Sequence, residues 1–219
     1  MMKSFFTTLS YIFHPLFLPL VGLYFLFSTP AITPDIVDKT LYNNTWEVKQ
    51  AIYLVFATLM LIAPGISVLI MYFSKVISSL TMEDRKERLH VITIVLLYAV
   101  FCYVFLRINI LPNANYSLLY LLPYTFGVLL VILACLILTY FTKVSLHAAG
   151  IFGLIGAVIG YFNTQMNYNL PFILILIFVG GLICAGRLYL KAHSNKDIFI
   201  GIVTGFSIEF LCMKFEWFI

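Results

Sequence analysis

Two polar stretches near the end of the chain hold histidines, cations and a carboxylate, the residue types that transfer a phosphoryl group. One contains Arg187, His193 and Asp197, and the other contains Ser145 and His147. Arginine binds a phosphate bidentately through its planar guanidinium. A neutral imidazole attacks phosphorus if a carboxylate holds its other ring nitrogen, and a second histidine can protonate the departing alkoxide. Together the two stretches indicate nucleophilic and acid–base chemistry on a phosphate.

The spacing within the last stretch predicts a working pair. If a helix begins near His193, Asp197 lies one turn further along the same face and can orient the imidazole. Cations can stabilise the charge of the transition state by themselves, so this chemistry needs no metal ion and no cofactor. A third polar stretch, residues 81–90, adds more positive charge. Its cations are Arg85, Lys86 and Arg88.

The last stretch resembles a signature of the type 2 phosphatidic acid phosphatase superfamily, a group of lipid phosphate phosphatases. That signature is Ser-Arg-x5-His-x3-Asp, and the chain has Gly186 in place of the serine. The second signature, Pro-Ser-Gly-His, keeps its serine and its histidine at Ser145 and His147. The first signature, Lys-x6-Arg-Pro, is missing, and the cations of residues 85–88 offer comparable charge. The resemblance covers about the C-terminal two-thirds of the chain, with a phosphatase-like core at about residues 75–215.

The resemblance implies a role for each matched residue. His193 would be the nucleophile that forms a phosphohistidine, with Asp197 as its orienting partner and His147 as the general acid. Arg187 and Ser145 would hold the phosphoryl oxygens. The first cluster would add phosphate ligands in a looser assignment, because a predicted helical hairpin at residues 91–141 separates it from the second signature. Those ligands would be Lys86, Arg88 and Arg85.

Each of these residues also has a purely structural interpretation. The cations of residues 85–88 can anchor the chain at a cytoplasmic membrane surface. Arg187 can extend to lipid headgroups, and His147 can be an interfacial histidine. His14 and His90 match no signature and are interpreted as structural. The combination of the last two stretches on one side of a membrane favours the phosphatase interpretation.

The composition identifies the chain as a membrane protein. Of its 219 residues, 63% are hydrophobic and only 10% are charged, and the mean hydropathy is +1.04. A soluble domain is about 25% charged, so a soluble domain, a disordered chain and a disulfide scaffold are excluded. The net charge of +4 comes from no long basic run and indicates no nucleic-acid partner. Nothing in the composition predicts an oligomeric state.

The apolar runs predict an all-α, multi-pass transmembrane helix bundle of about six to seven spans, forming a single integral membrane domain over residues 1–219. A spanning helix needs about 20 mostly apolar residues. The sequence His14-Pro15 should kink the first span or mark an interfacial entry. Glycines spaced along the fifth span predict close helix contacts. The candidate spans are residues 9–28, 51–73, 91–106, 118–141, 146–161, 171–190 and 198–215.

Counting the crossings places the three polar stretches on one face of the membrane. Nine of the thirteen Lys and Arg residues fall on that face, which would make it cytoplasmic. Four of those nine are candidate phosphate ligands, so the count leaves the orientation undetermined. We expect a multi-pass protein of the plasma membrane or the bacterial inner membrane.

These observations predict a lipid phosphatase that hydrolyses a phosphomonoester or pyrophosphate of a glycerolipid or polyprenyl lipid through a phosphohistidine. Its partners would be that phospholipid or polyprenyl phosphate and the surrounding membrane lipids. The alternative is a non-catalytic lipid-phosphate-binding or transport protein of the same descent, which the degenerate first two signatures motivate. An intramembrane prenyltransferase is disfavoured, because the four aspartates form no pair of aspartate-rich magnesium sites.

Overall fold

The computed structural model describes residues 2–32, 40–80, 84–111 and 118–217, and within these ranges the chain is folded into eight helices. A short 3-10 turn, Leu41–Asn43, precedes the third helix, which contains a π-helical segment, Ala57–Ile62. The helices are α1 (Met2–Ile12), α2 (Leu18–Ser28), α3 (Trp46–Phe73), α4 (Arg85–Ile110), α5 (Leu121–Thr139), α6 (Leu146–Thr164), α7 (Leu170–Tyr189) and α8 (Asn195–Lys214).

Five of these helices, α3 to α7, are long and apolar enough to cross a membrane. The all-α class and the multi-pass membrane character predicted from composition are therefore confirmed. The predicted number of six to seven spans is larger than the five found among the described residues. The two predicted spans at the ends of the chain account for the difference.

The first predicted span is divided into two helices of 11 residues each. The break lies at His14-Pro15, where the proline lacks a backbone N–H and restricts the residue before it. A helix of 11 residues is about 16 Å long, roughly half of the hydrocarbon thickness. Neither α1 nor α2 is long enough to cross a membrane alone.

The last predicted span is a helix of 20 residues, α8, but it is not among the five helices that are apolar enough to cross a membrane. It carries Lys196 and Asp197 in its first turn, Glu209 in its interior and Lys214 at its end. Because charged side chains are costly in lipid, such a helix is stable in a membrane protein when other helices cover its polar positions. In this structure α8 packs along α6.

Glycines allow α6 and α8 to approach closely, as their spacing in α6 predicts. A Cβ atom at Gly205 would overlap the carbonyl oxygen of Ala149, and one at Gly201 would lie 2.7 Å from the carbonyl oxygen of Ser145. A Cβ atom at Gly156 would lie 2.5 Å from a carbonyl oxygen of α8. The two backbones are therefore in direct contact, which small residues permit in membrane helices. α6 is also the most buried of the five candidate spans.

The three polar stretches meet at one end of the bundle. α4, α6 and α8 begin there, and α5 and α7 end there. The Nη2 atom of Arg88 donates a hydrogen bond of 2.6 Å to the carbonyl oxygen of Val144. The Oγ1 atom of Thr142 donates one of 2.6 Å to Oδ1 of Asp197. The first stretch, the second and the third are thus joined, although residues 81–83 of the first lie outside the described ranges.

Candidate functional site

A cavity of about 770 Å³ lies in the bundle, with a polar end where the three stretches meet. Four of the predicted site residues line it, namely Arg88, His147, Arg187 and His193. They come from four different elements: α4, α6, α7 and the loop that precedes α8. Much of the remaining wall is apolar and comes from α3 to α6. It includes Val68, Leu69, Val91, Val95, Val128 and Val131.

Two guanidinium groups give the polar end its charge. Arg88 is only 5% exposed, and one of its hydrogen bonds goes to the Val144 carbonyl oxygen described above. Arg187 is half-buried, and its Nε atom is buried with no hydrogen-bond partner among the described residues. Desolvated cations with donors to spare are costly unless an anion neutralises them. Both guanidinium groups line the cavity, and their chemistry suits an anionic group with several oxygen acceptors.

The imidazole of His193 is held through one nitrogen. Its Nδ1 atom lies 2.9 Å from the carbonyl oxygen of Lys143. A carbonyl oxygen only accepts, so Nδ1 carries the proton and Nε2 of the neutral ring keeps its lone pair. Burial lowers the pKa of His193 to about 4, and the positive charge of Arg187 adds to the effect. The ring is therefore neutral at pH 7, as a nucleophile requires.

The predicted hydrogen bond between Asp197 and His193 is not formed. α8 begins at Asn195, two residues later than the prediction required, and Ser194 is its N-cap. The Asp197 carboxylate accepts hydrogen bonds from the Ser194 backbone N–H, the Ser194 hydroxyl and Thr142. This is a capping box, in which the third helical residue bonds back to the N-cap. Asp197 is absent from the cavity wall and acts on the imidazole by charge alone.

His147 and Ser145 lie in the first turn of α6 and at its N-cap, and only the histidine lines the cavity. The Nε2 atom of His147 lies 3.1 Å from the carbonyl oxygen of Ser10 in α1, so Nε2 carries a proton. The hydroxyl of Ser145 accepts a hydrogen bond of 3.3 Å from the Ala148 backbone N–H, and Ser145 is fully buried. Ser145 is thus a helix cap outside the cavity wall, and its role as a phosphate ligand stays a prediction.

The three cations of residues 85–88 lie in different environments on α4. Arg88 faces the bundle, whereas Arg85 and Lys86 are exposed and absent from the cavity wall. The Nε atom of Arg85 donates a hydrogen bond of 2.7 Å to the Thr139 carbonyl oxygen at the end of α5. Lys86 lies in the first turn, where its backbone N–H bonds to the Asp84 carboxylate. Of the three predicted ligands in this cluster, only Arg88 reaches the cavity.

The structure adds one histidine that sequence reasoning treated as structural. His14 lines the same cavity, and its ring centroid lies 5.8 Å from that of His147. Its Nδ1 atom accepts a hydrogen bond of 3.4 Å from the Leu16 backbone N–H. Burial and the charge of Arg187 both lower the pKa of His14. The break in the first span was the available signal, because His14 lies in it. His90 is exposed and lies outside the cavity wall.

Two further residues of the cavity wall carry polar groups that the sequence did not single out. Lys143, whose carbonyl holds His193, lines the polar end. Glu209 lies deeper, in the middle of α8, and is 3% exposed. A lone acidic residue in an apolar helix was the signal for Glu209.

A comparison with protein families adds an independent finding. A family model described as the PAP2 superfamily matches residues 138–219. Residues 138–219 form a PAP2 superfamily domain. The resemblance seen in the spacing of Arg187, His193 and Asp197 is thereby confirmed for this segment. The PAP2 domain comprises α6, α7 and α8 and supplies His147, while Arg88 and His14 come from the part of the chain that precedes it.

Comparisons of the chain with curated proteins and with solved structures found no match. The family assignment therefore rests on the match at residues 138–219. Together with the five apolar helices, the match describes a multi-pass membrane protein with a PAP2 superfamily domain at residues 138–219.

Proposed function

We propose that the protein is a metal-independent lipid phosphatase of the plasma membrane or the bacterial inner membrane. Its substrate is a phosphomonoester or pyrophosphate of a glycerolipid or a polyprenyl lipid. One observation carries the proposal: Arg88, Arg187, His147 and His193 line one end of a cavity whose remaining wall is largely apolar. A phosphate bound at that end leaves the lipid chain to the apolar wall.

Arg187 and Arg88 bind the phosphoryl oxygens. The unpartnered Nε atom of Arg187 supports this role, because a phosphate oxygen would satisfy it. The two positive charges also stabilise the transition state, in which negative charge spreads over the equatorial oxygens. No metal ion has a part in this mechanism.

The first chemical step transfers the phosphoryl group to His193. The lone pair of Nε2 forms a bond to phosphorus while the bond from phosphorus to the lipid oxygen breaks. The electrons of that bond pass to the lipid oxygen, which takes a proton from His147, whose imidazolium form the negative charge of the bound phosphate favours. The products are a lipid alcohol and a phosphohistidine; with a pyrophosphate substrate the leaving group is the lipid monophosphate.

The second step returns the protein to its starting state. Water attacks phosphorus, the bond from phosphorus to Nε2 of His193 breaks, and its electrons return to the ring. His147 takes the proton from the attacking water, and inorganic phosphate leaves. Since Nε2 of His147 bonds to the Ser10 carbonyl, the proton exchanged in both steps is the one on Nδ1.

A second candidate function is a lipid-phosphate-binding or transport protein without turnover. The observation that favours it is the position of Asp197, whose oxygens bond to Ser194 and Thr142 and not to His193. A backbone carbonyl activates an imidazole less than a carboxylate does, because it carries no full charge. A binding protein would use the same guanidinium pair for its anionic ligand.

The decisive experiment measures phosphate release from a panel of lipid phosphates by purified protein in lipid nanodiscs. We expect His193→Ala to abolish release while His90→Ala, an exposed histidine outside the cavity, leaves it unchanged. Vanadate should inhibit the wild-type protein. Release that survives in His193→Ala would remove this residue from the mechanism. Tight binding of every lipid phosphate without any release by the wild type would favour the binding protein.

A further inference from the structure

Glu209 is buried in the bundle and has no role in the reaction proposed above. It lines the cavity that holds the two histidines, and its Oε2 atom is buried without a hydrogen-bond partner among the described residues. With 3% of its surface exposed, the side chain is out of reach of bulk water. An ionisable group in this position within a membrane protein marks a site for a polar ligand group.

Glycines on two neighbouring helices hold the carboxyl group at a fixed depth. A Cβ atom at Gly127 of α5 would overlap the carboxyl group of Glu209, and one at Gly153 of α6 would lie 3.5 Å from its Cγ atom. Gly153 lies six residues beyond His147, which is about 9 Å along the helix axis. The Glu209 side chain is therefore about that far from His147, measured along α6.

Among the residues that the structure describes, the surroundings of Glu209 supply no hydrogen-bond partner for its Oε2 atom. Tyr124 of α5 lines the same cavity, but its hydroxyl donates to the carbonyl oxygen of Pro19 at 2.8 Å. The wall nearby includes Val128 and Leu154. A carboxyl group with no cation beside it is buried at lowest cost in its uncharged form, which has one O–H donor and a carbonyl acceptor.

A ligand can satisfy this carboxyl group or cover it with hydrocarbon. An acylated glycerol has ester carbonyls about 6–8 Å from its phosphorus, given bond lengths near 1.5 Å, and an amide-linked or hydroxylated backbone has polar groups at similar reach. A polyprenyl phosphate has only hydrocarbon beyond its phosphate. A site that offers a buried hydrogen-bonding group discriminates against the ligand that leaves it unpaired.

We propose that Glu209 is a specificity-determining residue that selects lipid phosphates with a polar ester, amide or hydroxyl backbone over isoprenoid phosphates. The inference rests on the proposed function, since it assumes a phosphate bound between the arginines and histidines. It narrows the substrate class of that function to the backbone type. Glu209 takes no part in bond making or breaking.

The test measures equilibrium binding of two radiolabelled phosphonates, which no phosphatase can hydrolyse, to the purified protein in detergent micelles. One phosphonate carries a diacylglycerol backbone and the other a polyprenyl chain of equal carbon number. The proteins are the wild type, Glu209→Leu, Glu209→Gln and, as a matched control, Glu47→Leu at an exposed position of α3. The readout is the ratio of the two dissociation constants.

We expect the wild type and Glu47→Leu to prefer the diacylglycerol phosphonate by about tenfold or more. Glu209→Leu should lose this preference by weakening the diacylglycerol ligand and tightening the polyprenyl one. Glu209→Gln, which keeps a donor and an acceptor, should retain most of it. Equal affinities in the wild type, or an unchanged ratio in Glu209→Leu, would overturn the inference. If Glu209→Leu does not fold, the wild-type protein still tests the inference. The inference requires the wild type to bind the two phosphonates with different dissociation constants.

The binding readout separates this inference from the proposed function. Suppose that the wild-type protein binds both phosphonates but releases no phosphate from any lipid. This result would contradict the proposed phosphatase activity, and the ratio of the dissociation constants would still test the role of Glu209. A protein that releases phosphate equally from both lipid classes and binds both equally would keep the phosphatase and overturn the role of Glu209.

Discussion

The Nδ1 atom of His193 lies 2.9 Å from the carbonyl oxygen of Lys143, a residue of the preceding polar stretch. This contact joins the two stretches that the PAP2 domain contributes to the cavity. It also fixes the tautomer, since the ring nitrogen that faces the carbonyl must carry the proton. The carbonyl of Lys143 thus does the orienting that the sequence assigned to the carboxylate of Asp197.

The pH dependence of His193 follows from its surroundings. Burial and the charge of Arg187 lower its pKa to about 4 from a usual 6.5, because both disfavour the imidazolium form. The neutral ring therefore persists as pH falls from 7 to about 4, and only below that range is the lone pair lost. We expect NMR titration of labelled histidine, assigned with His193→Gln, to give a midpoint well below 6. Arg187→Gln should raise that midpoint. A wild-type midpoint near 6.5 would contradict the described environment.

The lowered pKa of His193 also predicts how the free energy of unfolding depends on pH. Between pH 6.5 and 4 the unfolded chain binds a proton at His193 that the folded protein does not bind, so the free energy of unfolding should fall as pH decreases through this window. His193→Gln should show a smaller fall than the wild type over the same window. Thermal unfolding in detergent at pH 7.0 and 4.5 measures the difference. An identical fall in both proteins would show that His193 has no lowered pKa.

The two basic residues Arg88 and Lys86 should behave differently despite their proximity in the chain. Arg88 lines the cavity and Lys86 is exposed outside it. Because removing one donor to a transition-state oxygen costs about 100-fold or more in rate, we expect Arg88→Ala to lower kcat/KM by that order. Lys86→Ala should change it less than about twofold. Similar losses of kcat/KM in both variants would indicate that all the cations of residues 85–88 contribute to phosphate binding.

The variant Ser145→Ala tests whether the Ser145 hydroxyl serves as a helix cap or as a phosphate ligand. Its hydroxyl caps α6 and its side chain is fully buried. Loss of a serine N-cap costs about 1 kcal/mol of stability, so we expect a lower melting temperature and a nearly unchanged kcat/KM. A loss of kcat/KM of about 100-fold with unchanged stability would instead assign the hydroxyl to the phosphoryl oxygens.

The contact between α6 and α8 should tolerate no side chain at Gly205. A Cβ atom there would overlap the carbonyl oxygen of Ala149, which is backbone and cannot turn away. We expect Gly205→Ala to destabilise the protein by about 2 kcal/mol or more and to reduce phosphate release, because the shift moves α8 relative to His147. The matched control is Gly181→Ala in α7, where nothing lies within 4 Å of the added atom. Equal melting temperatures for the two variants would contradict the close helix contact.

Much of the fold was predictable from the sequence, because apolar runs and helix breaks depend on residues that are close together in the chain. The five apolar helices follow from runs of about 20 residues that only a helix can carry through lipid. Close helix contacts along α6 were expected from the glycine spacing that begins at Gly150, but the spacing does not tell that α8 is the main partner. The break at His14-Pro15 was expected as a kink, but its extent depends on how α1 and α2 pack, which the local sequence does not encode.

The site was harder to predict because its members are brought together by tertiary contacts. His14 and His147 are 133 positions apart in the sequence, and only the folded bundle brings their ring centroids to 5.8 Å. Arg88 differs from Lys86 by its direction on α4, which depends on the packing of that helix. The capping box of Ser194 and Asp197 is different: the pattern is local and visible in the sequence, and it competes with the pairing that the family signature suggests.

The proposed mechanism requires that residues from separate helices contact the same phosphoryl group. The most direct measurement is an experimental structure of the protein with vanadate, which imitates phosphorus in the transition state. We expect vanadium bonded to Nε2 of His193, with its oxygens within hydrogen-bond distance of the guanidinium groups of Arg88 and Arg187. Vanadate bound elsewhere, or a His193 ring that does not face either arginine, would contradict it.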